Sequence, residues 1–162
     1  MVDPNPRRVT GSIVTVQIAA MFTPDVETSF EVLGINSSAG FVDQLFYANG
    51  TARLGLASSS VGNVAVAPNT RNIFDLVLNY DTKTTSAYVD GQLIGTGAFA
   101  TSATNLSSVS IGINGNGVSD NNTAYFDDLS VTADTPEPSS FVLLGTGLLG
   151  LAGAARRKFV RS

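Results

Sequence analysis

The chain has 162 residues, room for one domain of ordinary size and an appendage. It carries 9 Lys+Arg against 13 Asp+Glu and has no His, Cys or Trp, which excludes His- or Cys-based nucleophile pairs, the usual zinc sites and a disulfide framework. A net charge of -4 speaks against a general nucleic-acid binder, and 43% hydrophobic against 14% charged residues excludes a disordered chain.

Residues 1–8 read as a leader, disordered or cut short. From residue 9 the pattern is strand throughout, in ten segments: 9–20, 28–35, 41–48, 52–57, 63–67, 71–80, 84–90, 92–97, 109–114 and 123–132. Each is short and rich in Val, Ile, Leu, Phe, Tyr and Thr, and each is bounded by Gly, Asn, Ser or Pro. No window sustains a period of 3.6. In 71–80, Phe74, Leu76, Leu78 and Tyr80 share one face, and Asp75 and Asn79 take the other, the pattern of a half-buried strand. Asp81-Thr82-Lys83 turns the chain, and Asp90-Gly91 predicts a two-residue hairpin with positive φ at both positions. Residues 71–97 therefore read as an antiparallel meander. Ten short strands at this spacing predict an all-β antiparallel sandwich over residues 9–133.

Asp127-Asp128 interrupts the last strand. Phe126 before the pair reads as core-facing, and so do Leu129 and Val131 after it, although their parity is opposite. Either a bulge sits at the pair or one carboxylate points inward. One reading makes Asp127 and Asp128 calcium ligands together with backbone carbonyls; the other makes them a device of the strand itself. Otherwise no cofactor is expected.

Composition changes near residue 134. Residues 1–135 hold 5 basic and 12 acidic residues, whereas Arg156–Ser162 holds four basic residues and no acid. Between lie Thr135-Pro136-Glu137-Pro138-Ser139-Ser140 and the uncharged run Phe141–Ala155. Fifteen residues as a helix span roughly 22 Å, short of the ~30 Å core of a bilayer. Gly145, Gly147, Gly150 and Gly153 would weaken a helix in water but are tolerated in membranes. The basic cluster at the far end, which stays cytoplasmic, favours a single membrane helix with residues 1–135 outside.

The stretch TPEPSSFVLLGTGLLGLAGAARRKF resembles a PEP-CTERM sorting signal over about residues 134–162. The resemblance implies a bacterial envelope protein, exported and then recognised by an exosortase. It places the sorting motif at Pro136, Glu137 and Pro138, the transmembrane helix at 141–155, and the stop-transfer cluster at Arg156, Arg157 and Lys158 within the basic tail 156–162. It also implies a host that makes exopolysaccharide or biofilm matrix. An exported chain needs a signal peptide, and Met1–Arg8 lacks an apolar core while Thr10, Gly11, Ser12, Thr15 and Gln17 interrupt 9–22. A longer upstream reading frame encoding that signal is expected.

The order NIFDLVLNYDTKTTSAYVDGQLIGTG, SVSIGINGNG, TAYFDDLSV resembles the C-terminal half of concanavalin A-like or laminin-G-like jelly rolls. That resemblance implies the sandwich's topology and little about its activity. No catalytic residues are assigned. On a strand, Glu27 and Glu31 lie about 13 Å apart, beyond the ~5–9.5 Å of glycosidase carboxylate pairs. Tyr47, Tyr80, Tyr88 and Tyr125 and the polar loop Asn114–Asn122 offer the chemistry of a glycan contact or plain sheet packing and connection. The expectation is a non-enzymatic, exported envelope or matrix protein, at the inner membrane transiently and then at the surface. Its partners would be an exosortase, the membrane and exopolysaccharide or other glycans, without nucleic acid. The alternatives are a lectin-like carbohydrate-binding module and a polysaccharide hydrolase fragment.

Overall fold

Strict alternation decides where each strand points, and the computed structural model shows the two faces it creates. It describes residues 12–23, 29–48, 50–56, 60–114 and 123–134. Ten strands follow in order: β1 (Ile13–Phe22), β2 (Ser29–Ser37), β3 (Gly40–Ala48), β4 (Thr51–Gly55), β5 (Ser60–Ala65), β6 (Asn72–Asn79), β7 (Thr84–Val89), β8 (Gln92–Ala98), β9 (Ser108–Asn114) and β10 (Ala124–Ala133). Every segment expected from the sequence is present, with ends displaced by a few residues. The strands form two antiparallel five-stranded sheets, ordered β10-β1-β6-β7-β8 and β5-β4-β3-β2-β9. The chain crosses between sheets after β1, β5, β8 and β9. The result is an all-β antiparallel sandwich.

The core fills from alternate residues. Val14, Val16, Ile18, Ala20 and Phe22 of β1 and Phe74, Leu76 and Leu78 of β6 point inward and are buried. Phe22 sits at the centre of an aromatic cluster that joins the sheets. Its ring stacks on Tyr47 of β3 with centroids 4.1 Å apart, meets Phe30 of β2 at 5.3 Å, and takes Phe74 and Phe126 edge-on at 5.9 and 6.1 Å. Such pairs add ~0.5–1.5 kcal/mol each beyond the area they bury.

The predicted turns form as their chemistry requires. Asp90 and Gly91 have φ of 48° and 77°, the left-handed pair that matches the twist of a two-residue hairpin. The Asp90 carboxylate also accepts the Ile73 N–H at 2.8 Å, tying the hairpin to the start of β6. At the preceding turn, the Asn79 side-chain oxygen accepts the N–H groups of Asp81 and Thr82.

The two sides of the sandwich differ. Where β5 meets β8, the backbones close to a distance that only a glycine allows: a Cβ on Gly62 would stand 1.9 Å from the Ile94 carbonyl oxygen. On the opposite side the edge strands β9 and β10 leave their inner faces open. Ile111 follows core-packed Val109 by two residues and is 40% exposed; Leu129 and Val131 are 50% and 37% exposed. This corrects the expectation for Leu129 and Val131. Val131 does pair with buried Val16, so its parity is inward, but β10 is an edge strand with too little opposite it to bury them.

No helix among the described residues is long and apolar enough to cross a membrane. The expected membrane segment 141–155, the motif Pro136–Pro138 and the basic cluster Arg156–Lys158 lie outside the described residues, as do residues 1–8 and the loop 115–122.

Candidate functional site

The outward face of the first sheet carries the polar and aromatic residues that alternation keeps out of the core. Cross-strand pairing sets them in rows. Ala20 is opposite Asn72 and Met21 opposite Tyr125, so Arg71, Met21 and Tyr125 line up across β6, β1 and β10. The next outward row is Ile73, Ala19 and Asp127, and the one after is Asp75, Gln17 and Ser130. In the third row the Gln17 amide donates to Asp75 at 2.7 Å.

Ala19 is the shortest outward side chain on this stretch of β1, and it leaves a hollow between longer neighbours. The hollow is a cleft of about 190 Å³ lined by Ala19, Ala20, Met21, Arg71, Tyr125 and Asp127. Closed small-molecule pockets run ~300–1,000 Å³, so this one seats a ring-sized group rather than enclosing a molecule. Its floor is apolar and its rim carries an exposed aromatic ring, a guanidinium and a carboxylate.

The rim is ordered by the Asp127-Asp128 interruption. Between Gln17 and Ala19 the register with β10 slips, so that Asp127 to Ser130 face one residue fewer on β1. The extra residue is absorbed by Asp128, which takes φ 53°, and its N–H bonds the Asp127 Oδ1 at 2.8 Å. Aspartate tolerates this left-handed conformation better than most side chains do. The bulge turns Asp128 toward β6, where its Oδ2 accepts from Arg71 Nη2 at 2.5 Å. Calcium takes about six to eight oxygens. Here a cation already sits on Asp128, Asp127 holds a backbone N–H, and among the described residues no three His, Cys, Asp or Glu gather into a metal-sized group.

A second polar feature lies inside. Asp43 on β3 shares the core face with Leu45 and Tyr47 and is fully buried; its Oδ2 accepts from the Thr85 hydroxyl of β7, across the two sheets. Its Oδ1 has no partner, nor does the buried Tyr80 hydroxyl. Burial pushes the Asp43 carboxyl from 3.8 up to about 6, with the Thr85 hydrogen bond pulling the other way. Burial likewise pushes the Tyr80 phenol up to about 12. Asp43 went unmarked in the sequence, although its phase with Leu45 and Tyr47 signals a carboxylate on a buried face. Arg71 went unmarked too; its signal is scarcity, for Arg53, Arg71 and Lys83 are the basic residues of 9–133.

The four tyrosines separate. Tyr47 and Tyr80 are core, Tyr88 is half-buried beside Asp75, and Tyr125 stands 57% exposed at the cleft. Glu31 accepts from the Ser110 hydroxyl at 2.6 Å and belongs to the β2–β9 pairing. Glu27 lies outside the described residues.

Comparison with known proteins bears on both parts of the chain. Residues 134–158 match the family described as a PEP-CTERM protein-sorting motif. No curated protein sequence matches the chain. Among solved structures, it is similar to a sialidase (TM-score 0.62, 12% identity, 76% of this chain and 13% of that one). It is also similar to an alginate lyase of polysaccharide lyase family 7 (TM-score 0.60, 17% identity, 78% and 61%) and to a cellulose-induced protein (0.60, 15%, 78% and 70%). The chain thus spans about an eighth of the sialidase and under two thirds of the alginate lyase, and at these identities the likeness is one of fold. What the comparisons place on this chain is a jelly-roll sandwich bearing a PEP-CTERM protein-sorting motif at residues 134–158, the mark of export and sorting to the cell envelope.

Proposed function

We propose that residues 9–133 are a non-enzymatic, adhesive domain of the bacterial envelope or extracellular matrix, delivered by the tail 134–162. In this reading 141–155 holds the chain transiently in the inner membrane and Arg156, Arg157 and Lys158 stop its transfer. An exosortase then recognises Pro136-Glu137-Pro138 and releases the domain to the surface, where it meets exopolysaccharide. The observation that carries this is the sorting-motif match, which begins at residue 134, one residue after β10 ends. A proline has no backbone N–H and pushes the residue before it toward extended backbone, so a Pro-Glu-Pro segment suits presentation to a sorting enzyme as an extended peptide.

The carboxylates support the non-enzymatic part. General acid–base work needs an accessible carboxyl tuned toward the working pH. Asp43, pushed up to about 6, is shut between the sheets. Glu31, Asp75, Asp90 and Asp128 are each engaged by a partner inside the chain, and Asp127, which does reach the cleft, has as its nearest carboxylate Asp128, held by Arg71.

Replacing Pro136, Glu137 and Pro138 with alanine tests the sorting step. The variant should remain in the inner-membrane fraction at full mass, with the parent recovered shortened from the envelope or medium. Equal release of both refutes the sorting role. Turnover of a polysaccharide by the purified chain refutes the non-enzymatic one.

A further inference from the structure

We infer that the cleft between Arg71, Met21 and Tyr125 is a binding site for one ring of a neutral saccharide. The inference deepens the adhesive reading above and rests on it. A sugar ring has an apolar C–H face and a rim of hydroxyls, each of which both donates and accepts. The cleft offers the complement of each. Tyr125 is 57% exposed beside the apolar floor of Ala19 and Met21, where an aromatic surface can meet C–H groups. Arg71 supplies N–H donors and Asp127 a carboxylate acceptor at the same rim.

These polar groups are set before any ligand arrives. Arg71 is held by Asp128 at 2.5 Å, and the Asp127 carboxylate is fixed through its Oδ1 by the Asp128 N–H at 2.8 Å. One Arg71 nitrogen and one Asp127 oxygen are committed in this way; the remaining N–H groups of Arg71 and the Oδ2 of Asp127 make no hydrogen bond among the described residues. Side chains already ordered lose less freedom on binding, which a shallow, wet site needs. The bulge thereby acquires a use: it brings Asp128 within reach of Arg71 and leaves Asp127 at the cleft.

Charge selects among saccharides. Arg71 with Asp127 and Asp128 sums to -1, and residues 1–135 carry 5 basic against 12 acidic residues. A polyuronate approaching this surface meets like charge within a Debye length of ~8 Å at physiological salt. An uncharged glycan meets none and uses donor and acceptor alike. The cleft's size admits one ring, so affinity is on the order of 1 mM per ring, and many chains displayed on one matrix bind it through multivalency.

The test is affinity electrophoresis of the full chain in mild detergent, through gels containing a β-glucan, a mannan, a galactan or alginate. At least one neutral polysaccharide should retard the chain more than alginate does. Tyr125→Ala and Arg71→Ala should each weaken retardation about tenfold, with the β-rich circular dichroism spectrum kept. Leu93→Ala on β8, three strands from β1, should behave as the parent. Retardation by alginate equal to or greater than by the neutral polymers overturns the charge selection. No retardation of the folded chain by any of the four overturns the saccharide site, and full retention by Tyr125→Ala overturns its location. Binding by the purified chain with no retention in the envelope refutes the adhesive role alone. Envelope retention without saccharide binding refutes the cleft alone.

Discussion

Asp43 makes the stability of the domain depend on pH in a direction that can be worked out. Its carboxyl is fully buried between β3 and β7, with one oxygen on Thr85 and the other unpartnered, and its pKa stands at about 6 against an ordinary 3.8. The folded state therefore holds this proton more tightly than the unfolded chain does. Below pH 3.8 the group is neutral in both states and costs nothing. As pH rises through the interval from 3.8 to about 6, the unfolded chain ionises first and stability falls; above that it stays lowered. At ~1.36 kcal/mol per pH unit the whole loss is about 3 kcal/mol, or about 10 °C in Tm for a domain of this size.

Asp43→Asn removes the titration. Its amide oxygen still accepts from Thr85, but its NH2 faces the place of the unpartnered Oδ1. That leaves a cost of ~1–3 kcal/mol which does not vary with pH. The assay is denaturant unfolding of parent and variant from pH 4 to pH 8. Other carboxylates are common to both proteins and cancel in the difference. The parent's advantage over Asp43→Asn should shrink by about 2.5 kcal/mol across the range, most of it between pH 4 and 6.5. Parallel curves, constant within ~0.5 kcal/mol, would mean that Asp43 ionises freely and that the interior at this point is wet.

Thr85→Val removes the hydrogen bond that lowers the Asp43 pKa, so the midpoint of the same pH dependence should move upward. Gly62→Ala should cost several kcal/mol or prevent folding, because its Cβ would stand 1.9 Å from the Ile94 carbonyl oxygen at φ 73°. Gly91→Ala, at φ 77° with open space around it, should cost only the ~1–2 kcal/mol of the left-handed conformation. Differential scanning calorimetry separates the two glycines. Excess EDTA or millimolar calcium should leave Tm within about 1 °C, since a ligand that binds only the folded state would raise it by mass action.

What was legible in the chain was what neighbours in sequence decide. The alternation of Phe74, Leu76 and Leu78, and the left-handed pair Asp90-Gly91, are local requirements, and both appear in the fold as expected. The bulge at Asp127-Asp128 was legible as a parity conflict, one of two ways to resolve it. The exposure of Leu129 and Val131 was not, because it depends on β10 being an edge strand and on how little β9 covers. The cleft was equally hidden. Arg71 just before β6, Met21 on β1 and Tyr125 on β10 meet only through the order β10-β1-β6, and the hollow exists because Ala19 is small at that register. Pattern identifies a strand's face, but register decides which side chains share it.

The join between sandwich and tail constrains how sorting can work. The Asp134 N–H bonds the Ile13 carbonyl at 2.9 Å, so the sheet continues to the first residue of the matched motif. In sequence, Pro136 follows only two residues later. On the sorting proposal, an enzyme that recognises Pro136-Glu137-Pro138 must work close to the folded domain. Its nearest surface there is the end of β1 and β10, on the same two strands that carry the cleft but at their opposite end, beyond Val16 and Val131 rather than at Met21 and Tyr125. On the two proposals together, recognition by the enzyme and contact with a glycan would fall on separate ends of one strand pair. The proposed saccharide site would then stay open while the tail is held, and release would change where the domain resides without changing what its face presents.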